Sequence, residues 1–292
     1  MQKTNLQHYL HLHFLVFIWG FTAILGALIS IDAIPLVWYR MLFAVVIVFI
    51  YFLLRRKSLK VAPKDLLKFF FGGVVIAVHW IAFFAAIKVA NISVALVTMS
   101  TGALFTSIIE PIFFKRKLNF TEIFFGLIVI SGLYLIFNFE GNFGLGILYA
   151  LVASFLSALF SVYNGLLVRK HDAEVISFYQ LGFGVLFITI FILFTSGFSV
   201  EDFSLTTSDL FYLLILSSIC TAYAFIVSVK IMKYLTPYTV MLTINLEPVY
   251  GIILAVIIFG EKEQMSPQFY IGALIILSTV IVNGLLKNKK SV

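Results

Sequence analysis

The chain has 292 residues, 62% of them hydrophobic and only 11% charged, with a mean hydropathy of +1.11. A soluble domain carries about 25% charged residues to hydrate its surface, so water is excluded as the main solvent of this chain and lipid takes its place. The formal net charge of +7 marks no nucleic-acid face, because the cations are spread between apolar runs, and the single cysteine, Cys220, rules out a disulfide framework or a cysteine-based metal site.

In chain order, runs of the length a helix needs to cross a bilayer, about 20 residues, fall near 9–30, 34–54, 66–88, 92–114, 119–139, 143–168, 174–195, 208–230, 236–259 and 267–286. Ten transmembrane helices are therefore predicted. The polar start Met1 to Gln7 leads straight into the first run, which reads as an uncleaved helix rather than a signal peptide. Pro35, Pro63, Pro237 and Pro267 sit at or just before predicted helix starts, where a missing N–H does no harm. The joints at 31–33 and 89–91 leave room only for antiparallel hairpins.

The charges set an orientation. With a cytoplasmic N-terminus and ten crossings, the inner segments hold Lys3; Arg55, Arg56, Lys57, Lys60, Lys64 and Lys68; Lys115 to Lys117; Arg169 and Lys170; Lys230 and Lys233; and Lys287, Lys289 and Lys290. That is 17 of the 20 basic residues, leaving Arg40, Lys88 and Lys262 elsewhere. The outer segments take Asp32, Glu140, Glu201, Asp202, Asp209, Glu261 and Glu263. Lys and Arg are retained inside, so both termini are expected in the cytoplasm, with the chain in the cell membrane.

A weak internal repeat accompanies this pattern. Trp38-Tyr39-Arg40-Met41-Leu42-Phe43 aligns with Phe178-Tyr179-Gln180-Leu181-Gly182-Phe183, Asp65-Leu66 with Asp209-Leu210, and Gly126 with Gly272. Residues 1–139 then form one five-helix repeat and residues 140–292 a second, within a single membrane domain. An odd number of spans per repeat makes the second enter from the opposite side, an arrangement typical of transporters. The expected fold class is an all-α integral membrane protein of two inverted repeats.

Trp19-Gly20 in the first helix, Arg40 in the second, Asn245-Leu246-Glu247-Pro248 in the ninth, Gly260-Glu261 after it and Gly272 in the last helix together resemble the EamA-type branch of the drug/metabolite transporter superfamily. The resemblance covers essentially the whole chain. It implies ten helices around a central cavity and transport of metabolites, often by export. The first half departs from the pattern, with Gly102 and Lys115 where Pro248 and Glu261 stand in the second, and with Glu110-Pro111 of its own. Ser278 replaces the glycine usual in the last helix.

Ionisable groups inside a membrane are costly and point to function. Glu247 lies near the middle of the ninth span on a face with Thr236, Thr239, Thr243 and Gly251, and Pro248 frees a backbone carbonyl one turn back. Arg40 either binds an anionic or zwitterionic solute, snorkels to the outer headgroups, or forms a salt bridge that locks helices together. His79, with Trp80 and Phe83, suits stacking and proton exchange. Glu110, one turn from Lys115, is an inner-interface ion pair or an inner gate. Gln180 is the repeat partner of Arg40. Ser154, Ser157, Ser161 and Asn164 form a polar stripe on helix six, and Ser217, Thr221 and Ser228 one on helix eight, with Tyr223 beside it. Such stripes pack helices or line a cavity.

The expected solute-binding and coupling set is thus Glu247, Arg40, His79, Trp80, Phe83, Asn164, Gln180, Tyr223 and Thr243. An intramembrane enzyme would need paired aspartates, a Ser–His pair or a metal cluster, and no Asp lies at depth. His8, His11 and His13 sit at the inner end of helix one, and His11 and His13 do not share a face. A scaffold would need loops to recruit partners. No phosphate-binding loop points to ATP. The expectation is a secondary-active transporter of a small metabolite, such as an amino acid, with no cofactor, no metal and no nucleic-acid partner.

Overall fold

In the computed structural model the structure describes residues 2–139, 141–195 and 197–290; within these, the side chains of residues 2–5, 122, 137, 139, 141, 280 and 283–290 lie outside the description. Glu140 and the side chains of Lys3, Lys287, Lys289 and Lys290, counted in the charge pattern, therefore lie outside the described residues.

Among the described residues the chain is helical throughout, with no strand. The helices are α1 (Gln2–Leu28), α2 (Ala33–Arg55), α3 (Pro63–Val89), α4 (Ile92–Met99), α5 (Gly102–Phe114), α6 (Phe120–Phe139), α7 (Gly144–Leu167) and α8 (Ala173–Phe194). They continue with the short α9 (Val200–Phe203), then α10 (Thr207–Ser217), α11 (Ala224–Ile231), α12 (Pro237–Ile244), α13 (Glu247–Phe259) and α14 (Pro267–Lys290). Eight helical stretches are long and apolar enough to cross a membrane, and shorter apolar stretches, Ile123–Ile136 and Pro267–Thr279, occupy α6 and α14. The outer surface carries large apolar side chains such as Phe14, Leu53, Leu67, Phe124, Phe194 and Ile257. A hydrocarbon solvent accepts these, and helices satisfy their own backbone groups within it. This is a multi-pass membrane protein.

The predicted spans at 92–114, 208–230 and 236–259 are not continuous α-helices. Ser100 and Thr101 separate α4 from α5, and Asn245 and Leu246 separate α12 from α13. Between α10 and α11 the backbone forms a π-helical turn, Ser218–Tyr223. Glycine, proline and small polar residues account for the first two: Gly102 follows one break, and Pro248 has no N–H to continue the ladder across the other.

Packing interleaves the two parts of the chain. α3 packs on α7 and α8, α2 on α8 and on α10, α1 on α13, α4 on α7 and α13, α5 on α7 and α12, and α6 on α14. Close approach needs glycine at defined crossings. A Cβ on Gly132 would stand 2.9 Å from the Gly272 carbonyl, and one on Gly272 would stand 2.8 Å from the Gly132 carbonyl. Gly20 meets Tyr250 in the same way, a Cβ there standing 3.0 Å from the tyrosine Cβ.

Candidate functional site

The three irregular spans converge on one cavity of about 80 Å³. Its lining includes Arg40 from α2, His79, Trp80 and Phe83 from α3, Ser157, Phe160 and Ser161 from α7, Cys220 from the π turn, and Glu247 from the start of α13. Trp19, Phe225, Ser228 and Ile244 complete much of the wall.

Arg40 is 1% exposed, so it does not snorkel. Its guanidinium carbon lies 4.0 Å from the centroid of Trp80 and 5.4 Å from that of Phe84, a cation–π seat that suits the weakly hydrated Arg head. Nε donates to Thr221 Oγ1 at 2.7 Å. Thr221 is placed for this by the π turn, where its own hydroxyl donates to the Leu216 carbonyl at 2.7 Å. The same turn offers the Cys220 carbonyl to Trp19 Nε1 at 3.3 Å. π turns often occur at functional sites because they re-aim side chains within a helix. Arg40 Nη1 is buried without a hydrogen-bond partner, which leaves one donor of a buried cation available to a solute.

His79 is 6% exposed. Its Nδ1 lies 2.7 Å from the Ala153 carbonyl. A carbonyl only accepts, so Nδ1 carries the proton and the neutral ring keeps Nε2 as an acceptor. Phe83 stacks on the imidazole at 6.3 Å and Phe160 meets it edge-on at 5.2 Å, which fixes the ring plane.

Glu247 is half-buried and is the first residue of α13, with Pro248 next. The open N–H groups of a helix start carry partial positive charge and favour a carboxylate there. The helix break, rather than a kink in a continuous helix, is therefore what presents Glu247 to the cavity. It also ends the expected polar stripe: Thr243 belongs to α12, is bonded to the Thr239 carbonyl at 2.9 Å, and is not in the lining.

A family model for EamA-like transporters matches residues 9–138 and again residues 144–285. The chain belongs to the EamA-like transporter family. Among 28 solved chains that match, one crystal structure of a protein aligns with a TM-score of 0.70 over 96% of this EamA-like chain and 98% of the other, at 16% identity. That likeness concerns the fold. Comparison with curated proteins gives no match.

Of the expected site residues in this EamA-like transporter, the cavity gathers Glu247, Arg40, His79, Trp80 and Phe83. Asn164 and Gln180 lie outside its lining. They are fully buried and bonded to each other, Gln180 Nε2 donating to Asn164 Oδ1 at 2.7 Å. Tyr223 is 41% exposed, and its hydroxyl lies 2.8 Å from His11 Nε2. Among the described residues no group of three or more His, Cys, Asp or Glu is placed to hold a metal ion, and His8 stacks on Tyr234 at 3.9 Å. Glu110 sits at the end of α5, away from the cavity, where it accepts from Arg116 Nε at 3.2 Å and from the Tyr238 N–H at 2.7 Å. The polar stripe on the sixth span, α7, splits: Ser157 and Ser161 reach the cavity, while Ser154 donates to the Met99 carbonyl at 3.0 Å. Nothing in the sequence marks Thr221, Cys220, Phe160 or Phe225 individually as a site residue. The polar stripe on the eighth span, which runs through α10, the π turn and α11, is the only signal for Thr221, and a regular helix would turn it differently.

Proposed function

We propose that this protein is a secondary-active exporter of a small amino-acid-like metabolite, working by alternating access with Glu247 as the proton-coupling group. The observation that carries this reading is that the Arg40 guanidinium and the Glu247 carboxyl group line one aromatic-walled cavity at the breaks of the spanning helices. A zwitterion brings a carboxylate for Arg40 Nη1 and an ammonium for Glu247, while its side chain rests on Trp80, Phe83 and Phe160. His79 Nε2 adds an acceptor.

Ten crossings, as two inverted five-helix repeats at 1–139 and 140–292, fit this mechanism. α6 has 20 residues and α14 has 24, about 30 and 36 Å at ~1.5 Å per residue, long enough to join the eight other spans. The family model matches twice, once in each proposed repeat. Much of the packing is also preserved when the repeats are exchanged: α1 on α13 corresponds to α7 on α5, and α3 on α8 to α10 and the π turn on α2. The charge pattern supports both termini in the cytoplasm and the cell membrane as the site of action.

The test is transport by purified protein in liposomes, with a panel of labelled amino acids and related zwitterions and an imposed pH gradient. Wild type is expected to drive uphill flux of at least one solute, and Glu247→Gln to exchange that solute while losing its response to the gradient. A variant identical to wild type at every pH removes Glu247 as the coupling group. No flux of any panel solute in either direction overturns the proposed cargo.

A further inference from the structure

We infer that Glu110 and Glu263 are a reciprocal pair of end latches, each closing one end of the cavity, and that access alternates by releasing one while the other holds. The inference rests on the transporter reading above and adds to it the contacts that must break. Glu110, in the last turn of α5, accepts the Tyr238 N–H of α12 at 2.7 Å. Glu263, just past α13, accepts the Ile92 N–H and the Ser93 N–H of α4 at 3.0 Å each, and the Ser93 hydroxyl at 2.8 Å. The two contacts lie at opposite ends of the antiparallel pair of broken helices, α4–α5 and α12–α13. Each runs from the C-terminal end of one broken helix to the N-terminus of the other. Both carboxylates are 5% exposed.

These carboxylates do more than finish the helices. α4 has a local cap, the Asn91 side chain accepting from Val94 N–H at 2.8 Å, and α12 has another, Thr236 accepting from Thr239 N–H at 3.2 Å. The carboxylates take the first free N–H groups beyond those caps. Separation therefore leaves each helix start capped, and water entering the opened end replaces the lost bonds. At the closed end no water is at hand, and the charge-assisted bonds hold. Parting of α5 from α12 frees Glu110, and parting of α4 from α13 frees Glu263. A rocking motion opens one end at a time.

Cys220 lines the cavity and is the only cysteine in the chain, so the test needs no solute. Its labelling by a small membrane-impermeant methanethiosulfonate is followed in intact cells, which expose the outer face, and in inverted vesicles, which expose the cytoplasmic face. On the charge-derived orientation, Glu263→Gln is expected to speed labelling about tenfold in intact cells only, and Glu110→Gln about tenfold in inverted vesicles only, the size of one lost charge-assisted bond. Asp202→Asn, on an exposed segment, is the control and stays at the wild-type rate. Ser157→Cys in a Cys220→Ser background repeats the measurement where Cys220 reacts too slowly. Should Glu263→Gln not fold, Ser93→Ala removes one bond to the same carboxylate and is expected to act on the same side to a smaller degree. Opposite polarity of the two variants supports the latches. Acceleration from the same side, from both sides, or from neither overturns them. Opposite polarity together with no flux of any panel solute would fell the proposed cargo and leave the latches standing.

Discussion

Arg40 is held by contacts of two kinds, and each can be removed by itself. Thr221→Val keeps the shape of the side chain and deletes the acceptor for Nε, leaving a buried charged donor unpartnered; a loss of about 1–3 kcal/mol is expected, read as a lower unfolding temperature in detergent, with Thr221→Ser close to wild type. Trp80→Leu forfeits the cation–π seat and is expected to cost about 1–2 kcal/mol by the same measurement. Arg40→Lys is the sharper functional test. An ammonium cannot both meet Thr221 and spread over the Trp80 ring, so solute affinity is expected to fall at least about tenfold while the protein still folds, checked by binding to purified protein. From sequence, Arg40 was legible as an intramembrane charge, but its direction was not. Depth along a helix cannot distinguish a side chain reaching outward to headgroups from one turned inward onto a neighbouring helix.

At the scale of elements, hydropathy located most helix limits within about four residues, because burial in lipid is a property of the whole run; α1 begins earlier than its apolar run, at Gln2 within the polar start. It could not locate the breaks. The residues 100–101 and 245–246 sit inside runs whose mean hydropathy stays high, and the π turn at 218–223 has no compositional mark. The setting of Glu247 depends on such a break: in a continuous helix it would lack the open N–H groups that accompany it at the start of α13. Glu263 was missed for a related reason. As one of two acids in the segment after the ninth span it reads as a loop charge, and only the fold brings α4 to it. The pairing of α6 with α14 gives a separate prediction. Gly132→Val places a side chain against the Gly272 carbonyl and is expected to destabilise the protein by about 1–3 kcal/mol, with Gly182→Val, where nothing lies within 4 Å of the added Cβ, as the neutral comparison. Thermal unfolding of the two variants side by side checks it.

For the whole molecule, the excess of Lys and Arg in alternate loops predicts that tags on either terminus are digested by added protease in inverted vesicles and protected in intact cells; protection of one but not the other would contradict an even number of crossings. The all-helical, multi-pass class and the positions of the apolar runs were readable because each depends on composition over many residues. The membership of the cavity was readable where a charge or histidine stood out against hydrocarbon, together with the aromatic neighbours of His79 and part of the serine stripes. The interleaved packing has a consequence for how the protein is made. Helices α1 to α6 leave the ribosome before their main partners exist: α3 must wait for α7 and α8, and α4 for the carboxylate of Glu263. The first half should therefore be inserted yet unfinished, and open to quality-control proteases until synthesis ends. Cutting the gene between residues 139 and 144 and expressing both pieces together should restore a single complex, whereas the first piece alone should be degraded.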